Sequence, residues 1–133
     1  MTKKSKVETV RQHINAGIQD DGCYTSQDFR KLAREFKSMV TEQLEKVGGT
    51  NYQQSVGHYY LSGFFTIGEQ IYYISFNVER GGYVSRNNKK YEVLIRTAES
   101  YKDFTGGCNH FIQIQEDMFK DHESEFRGCL PIW

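Results

Sequence analysis

Ser26-Gln-Asp-Phe-Arg-Lys-Leu-Ala-Arg-Glu-Phe-Lys-Ser-Met-Val-Thr-Glu-Gln-Leu-Glu-Lys-Val-Gly-Gly49 decides the architecture of this chain. Phe29, Leu32, Ala33, Phe36, Met39, Val40, Leu44 and Val47 recur at helical spacing, so one stripe of an α-helix is apolar and the rest polar. Thr25 or Ser26 supplies an N-cap oxygen, and Gly48-Gly49 ends the helix where a left-handed residue is wanted. A helix with one apolar stripe must bury it against another layer.

Upstream, Val7, Val10, His13, Ile14 and Ile18 form the stripe of a shorter helix from Val7 to about Ile18. A flexible basic tail over residues 1–6 precedes it, and Gln19 to Tyr24 interrupts the pattern. Downstream of residue 50 the period changes from helical to twofold. Val56–Ile67 and Ile71–Val78 read as strands joined by Gly68-Glu-Gln70, Tyr91–Ala98 as a third and Asn109–Ile114 as a fourth. In the second strand Tyr72, Ile74, Phe76 and Val78 oppose Tyr73, Ser75 and Asn77. From Gln115 onward Met118, Phe119 and Phe126 lie among acids, a short C-terminal helix. The last residues, Gly128 to Trp133, hold the single proline, Pro131, and read as an extended piece against the body. The expectation is one α+β domain over residues 1–133. Two N-terminal helices pack on one face of a four-stranded antiparallel sheet, followed by the short helix.

Composition narrows the function classes. The chain of 133 residues has room for one core, and 14% of it is aromatic, so rings must build the core or a sheet face. Seventeen basic side chains cancel seventeen acidic ones. Net neutrality counts against a dedicated duplex-DNA binder, whose affinity comes from phosphate neutralisation. No apolar run approaches the length of a membrane span, and no hydrophobic segment follows the basic start as in a secretory signal. Cys23, Cys108 and Cys129 form an odd set without a CxxC pair, which fits reduced thiols in a cytoplasmic setting.

Several residues invite chemistry. Cys108, His110, His122 and Cys129 are zinc-type ligands, but only the first two are close in sequence, and scattered side chains are the commoner outcome. Cys108 beside His110 could form a thiol–imidazole pair; residues two apart on a strand stand ~6–7 Å apart, which makes a buried cysteine the simpler reading. His58, Glu92, Arg96, Lys102 and Asp103 could gather at one end of the sheet, though no spacing requires it. Thr105-Gly-Gly-Cys-Asn109 lacks the Lys-Ser/Thr ending and following helix of a phosphate-binding loop. Arg96 in mid-strand reads best as a structural tie to Asp103 that holds the loop containing Gly106 and Gly107. No metal, cofactor or catalytic residue is assigned.

Two binding readings remain. The aromatic doublets Tyr59-Tyr60, Phe64-Phe65 and Tyr72-Tyr73, with Phe76, put rings on both sheet faces, and an uncovered set could stack single-stranded bases. Cross-strand packing is their ordinary role. Alternatively, the long polar connection Glu79–Lys90 and the loop after Arg96 form a protein-binding surface. Its contact residues are Arg80, Tyr83, Arg86, Lys89, Lys90, Lys102 and Asn109.

Residues 56–111 add a resemblance. Gly57-His-Tyr-Tyr-Leu-Ser-Gly63, Tyr72-Tyr-Ile-Ser75, Leu94-Ile-Arg-Thr-Ala98 and Tyr101-Lys-Asp-Phe-Thr-Gly-Gly-Cys-Asn109 resemble a group of small proteins encoded by phages and mobile elements of gut bacteria. Cys108 departs from the small polar residue, such as Ser, expected there, which counts further against thiol and zinc chemistry. The resemblance implies a non-enzymatic, cytoplasmic protein acting in a bacterial host. It would contact and inhibit a host defence protein, anti-CRISPR proteins being the best-known kind. The alternative is a small single-stranded nucleic-acid or nucleotide-binding protein that uses an aromatic sheet face.

Overall fold

Two serines start the two helices. A computed structural model describes residues 5–17, 25–57, 60–77, 91–104 and 108–121. Helix α1 spans Lys6–Ala16, with Ser5 Oγ accepting from the Glu8 amide at 3.0 Å. Ser5 and Lys6, assigned above to a flexible tail, are thus the cap and first residue of α1. Gly17, at φ +80°, ends α1 by donating its amide to the His13 and Ile14 carbonyls, so the helix stops short of Ile18. Helix α2 spans Gln27–Glu45, capped by Ser26 Oγ, which accepts from the Phe29 amide at 3.2 Å. Gly48, at φ +74°, then turns the chain into the sheet.

The sheet has five strands in sequential order, each antiparallel to its neighbour: β1 Gly49–Gly57, β2 Tyr60–Ile67, β3 Gln70–Asn77, β4 Glu92–Ala98 and β5 His110–Gln113. This corrects the four-strand expectation. Val56 and Gly57 close β1 rather than opening β2, and Gly57 pairs with Tyr60 across the hairpin. β1 escaped the reading because Thr50-Asn-Tyr-Gln-Gln-Ser55 carries Asn and Gln, has a single large apolar side chain and shows no alternation. A bulge also breaks its register between Thr50 and Gln53, with Asn51 at φ +59°. In the tail, residues 116–121 run as turns where a short helix was expected; the rest of that segment, with Phe126 and the Gly128–Trp133 piece, lies outside the described residues.

Both helices cover one face of the sheet. Phe29, Phe36, Met39 and Val40 of α2 and Val10 and Ile14 of α1 bury against Leu61, Phe65, Ile74, Phe76, Val93 and Ile95. Stacked or tilted rings tie the layers: Phe36 lies 5.8 Å from Phe76, Phe65 5.5 Å from Tyr72, and Phe65 5.1 Å from Phe119. Burying each large apolar side chain contributes about 1.5–3 kcal/mol. Tyr72, Ile74 and Phe76 face this core, as their alternation requires.

Polar ties set the angle of each helix. His13 bridges from α1 to α2, with Nδ1 2.6 Å from Glu35 Oε1 and Nε2 2.8 Å from Asp28 Oδ1. Arg11 donates to the Ile114 carbonyl at 2.6 Å and lies over the Tyr91 ring, 3.7 Å from its centroid. Buried Gln43 accepts from the Asp117 amide at 2.7 Å and donates to Glu116, which pins the turn after β5 onto α2. Among the described residues no helix is long and apolar enough to cross a membrane.

Candidate functional site

The register places Phe64 of β2, Tyr73 of β3 and Arg96 of β4 in one row on the sheet face away from the helices. Ser62, Ser75, Leu94 and Phe111 form the next row, and Thr66, Ile71 and Ala98 the row on the other side. An arginine at the centre of such a face must find partners once it is covered.

Arg96 finds them in the segment that follows its own strand. Residues 99–104 fold back over the face, and the guanidinium donates from Nη2 to the Asp103 carbonyl at 2.7 Å and from Nη1 to the Thr97 carbonyl at 3.2 Å. The Asp103 carboxylate lies 3.9 Å from Nη1 and accepts from the Glu99 amide at 3.0 Å. Arg96 Cζ also stands 4.4 Å from the Tyr73 centroid. The side chain is only 4% exposed, so its charge is spent inside the fold.

The same fold-back roofs the aromatic row. Tyr101 Oη and Thr66 Oγ1 share a 2.6 Å hydrogen bond, and Phe104 packs 5.2 Å from Phe64 and 6.2 Å from Tyr73. Phe64 is 4% exposed, so the face is not the open row of rings that the doublets suggested. Three rings among the described residues do reach solvent: Phe104, 60% exposed, Phe111, 45% exposed, and Tyr60, 42% exposed at the start of β2. Phe104 is held against two fixed rings, so little conformational freedom remains for a partner to remove.

Lys102 and Asn109, both exposed, stand two residues before Phe104 and Phe111 respectively. The other expected contact residues, Arg80, Tyr83, Arg86, Lys89 and Lys90, lie outside the described residues, as do Gly106 and Gly107. Sequence reasoning included Tyr60 in the aromatic set but passed over Phe104 and Phe111. Phe111 was legible: with Asn109 and Gln113 it alternates against Ile112 and Ile114, so it had to face away from the helices. Phe104 carried a weaker signal, a lone large ring in an otherwise polar loop.

The thiol and zinc readings lose their main residue. Cys108 is disulfide-bonded, against the expectation of reduced thiols, and a disulfide sulfur is neither a nucleophile nor a zinc ligand. Cys23, Cys129 and His122 lie outside the described residues. Among the described residues no group of three or more His, Cys, Asp or Glu is placed to hold a metal ion.

No protein-family model, curated protein or solved structure matches this chain. The outer sheet face offers Phe104, fixed against Phe64 and Tyr73, and the exposed rings of Phe111 and Tyr60, with the exposed Asn109 and Lys102 near in sequence; aromatic side chains are enriched in protein contacts.

Proposed function

We propose that this chain is a non-enzymatic binding protein that docks a host defence protein through its outer sheet face and inhibits it. The anti-defence role, anti-CRISPR-like and of phage or mobile-element origin, comes from the resemblance of residues 56–111. The docking surface comes from the side chains. Phe104 and Phe111 are the anchors, and Lys102 and Asn109 orient the partner at their rim. The observation that carries this reading is Phe104, which stays 60% exposed although its ring is fixed against Phe64 and Tyr73. Anchors of this kind dominate binding energy because they arrive pre-organised and exclude water on contact.

The test is phage plating on a bacterial host with an active CRISPR or other defence system. Expression of the chain is expected to raise plating efficiency, and Phe104→Asp with Phe111→Asp to abolish the rise. Wild-type expression that leaves plating unchanged across a panel of defence systems would remove the anti-defence reading.

Single-stranded nucleic acid is the second reading, because exposed rings can also stack bases. Arg96 is turned inward, which leaves Lys102 as the cation beside these rings among the described residues. Fluorescence titration with single-stranded oligonucleotides at two salt concentrations separates the readings: saturable, salt-weakened binding that depends on Phe104 would favour nucleic acid.

A further inference from the structure

The opposite layer carries a second surface, independent of the outer face. β1 has only β2 beside it among the described residues, so it is a sheet edge. Edges are commonly defended by lysine, proline, short length or bulges. Gly49-Thr-Asn-Tyr-Gln-Gln-Ser-Val-Gly57 holds no charged residue and no proline, and its one bulge lies between Thr50 and Gln53. Gln53 to Gly57 is therefore a regular stretch of undefended edge. Ser55 and Val56 point to opposite faces, and both are exposed.

Helix α2 runs along this edge in the opposite sense. Gln54 Nε2 donates to the Ala33 carbonyl at 2.9 Å, and Leu44 abuts Gly49, whose added Cβ would meet its Cδ2 at 2.7 Å. Eleven helical residues rise about 16.5 Å, and five strand residues cover about the same distance, so helix and strand stay aligned between these contacts. Arg30 and Lys37 stand at i−3 and i+4 from Ala33, on its flank of the helix, with Arg34 between them. All three are exposed. Among the described residues no ion pair engages any of them.

No acid stands three or four residues from Arg30, Arg34 or Lys37 along α2, and Asp28 and Glu35, on the other flank, are turned to His13. The result is a row of cations about 10.5 Å long beside an uncharged, open strand. We infer that the β1 edge binds an extended, acidic segment of a partner protein, added as a sixth strand. The segment's backbone pairs with Gln53–Gly57, and acids at alternate positions, about 6.6 Å apart on one face, meet Arg30, Arg34 and Lys37. A second copy of this chain fits worse, because twofold pairing of β1 would bring the two cation rows toward each other. A nucleic-acid strand continuing along α2 would run onto Glu42 and Glu45, which border the same cleft as Arg34 and Lys37.

The probe is a fluorescein-labelled peptide of sequence Thr-Glu-Val-Glu-Val-Glu-Thr, followed by anisotropy and by amide shifts in the 15N-labelled full chain. Saturable, salt-weakened binding is expected, with shifts concentrated on residues 53–57. Replacing the peptide's Glu by Lys should abolish it. Arg30→Glu with Lys37→Glu should weaken it at least about tenfold, since opposed charges become like charges. Phe104→Asp with Phe111→Asp should leave it unchanged, which separates this surface from the outer face. The inference is overturned if the peptide fails to saturate or its shifts fall elsewhere. It is equally overturned if an oligothymidylate binds these cations more tightly than the peptide, or if the free chain dimerises through the same amides.

Discussion

The guanidinium of Arg96 lies 4.4 Å from the centroid of Tyr73, its cross-strand neighbour, and reaches past it to the Asp103 carbonyl at 2.7 Å. This one side chain fixes the fold-back that carries Lys102 and Phe104. Arg96→Lys keeps the charge but loses the planar stacking and the two-carbonyl reach. A loss of about 1–3 kcal/mol is expected in urea unfolding, because buried acceptors are left unpaired. Asp103→Asn should cost less: the 2.7 Å bond uses the backbone carbonyl, which the substitution keeps.

Gln43 makes a second testable tie. It is 1% exposed and holds the amide of Asp117 at 2.7 Å. Gln43→Leu matches its volume but strands that amide, so unfolding free energy should fall by about 1–3 kcal/mol. If stability is unchanged, the turn after β5 is held by Met118 and Phe119 alone.

Gly63 sits where β1 and β2 approach closely. A Cβ there would meet Tyr52 Cε1 at 2.5 Å and the Gln53 carbonyl oxygen at 2.7 Å. The backbone contact cannot swing aside, so Gly63→Ala is expected to destabilise by about 1–3 kcal/mol in thermal or urea unfolding.

Glu116 gives a pH dependence. The hydrogen bond from Lys46 at 2.7 Å, with a further one from Gln43, holds its carboxyl below the usual carboxylate range. A carboxyl whose pKa is lowered by folding stabilises the fold above its unfolded pKa and loses that contribution as pH falls through its folded one. Wild type should therefore exceed Glu116→Gln in urea midpoint at neutral pH, with the gap closing on acidification. The gap should be small, because both partners are exposed.

Cys108 allows a count. One disulfide in a chain with three cysteines leaves one free thiol. Thiol titration of the denatured, unreduced protein should find one group per chain, and after reduction three. Three groups before reduction would mean that the bond does not form under the conditions of expression.

How far the sequence carried depends on the kind of signal. α2 was readable because its apolar period, Ser26 cap and closing glycines all agree. β3 and β4 were readable because Tyr72, Ile74 and Phe76, and likewise Val93 and Ile95, recur at every second residue. β1 was hidden: its hold on the fold comes from Tyr52 and Gln54 reaching inward, and a bulge erased the twofold pattern. The surfaces were harder still. Exposure of Phe104 depends on how residues 99–104 fold back, and that follows from the partners of Arg96, not from local propensity. The charge row on α2 was invisible in a net-neutral composition, because it lies in the spacing of Arg30, Arg34 and Lys37, none of which has an acid three or four residues away.

The most direct check is affinity capture from a lysate of a bacterium with active defence systems, comparing wild type with Phe104→Asp/Phe111→Asp. Circular dichroism should first show both forms folded with matching melting curves. Mass spectrometry is then expected to find a defence protein retained by wild type and lost by the variant. The same protein retained equally by both would contradict the assignment of docking to these two rings.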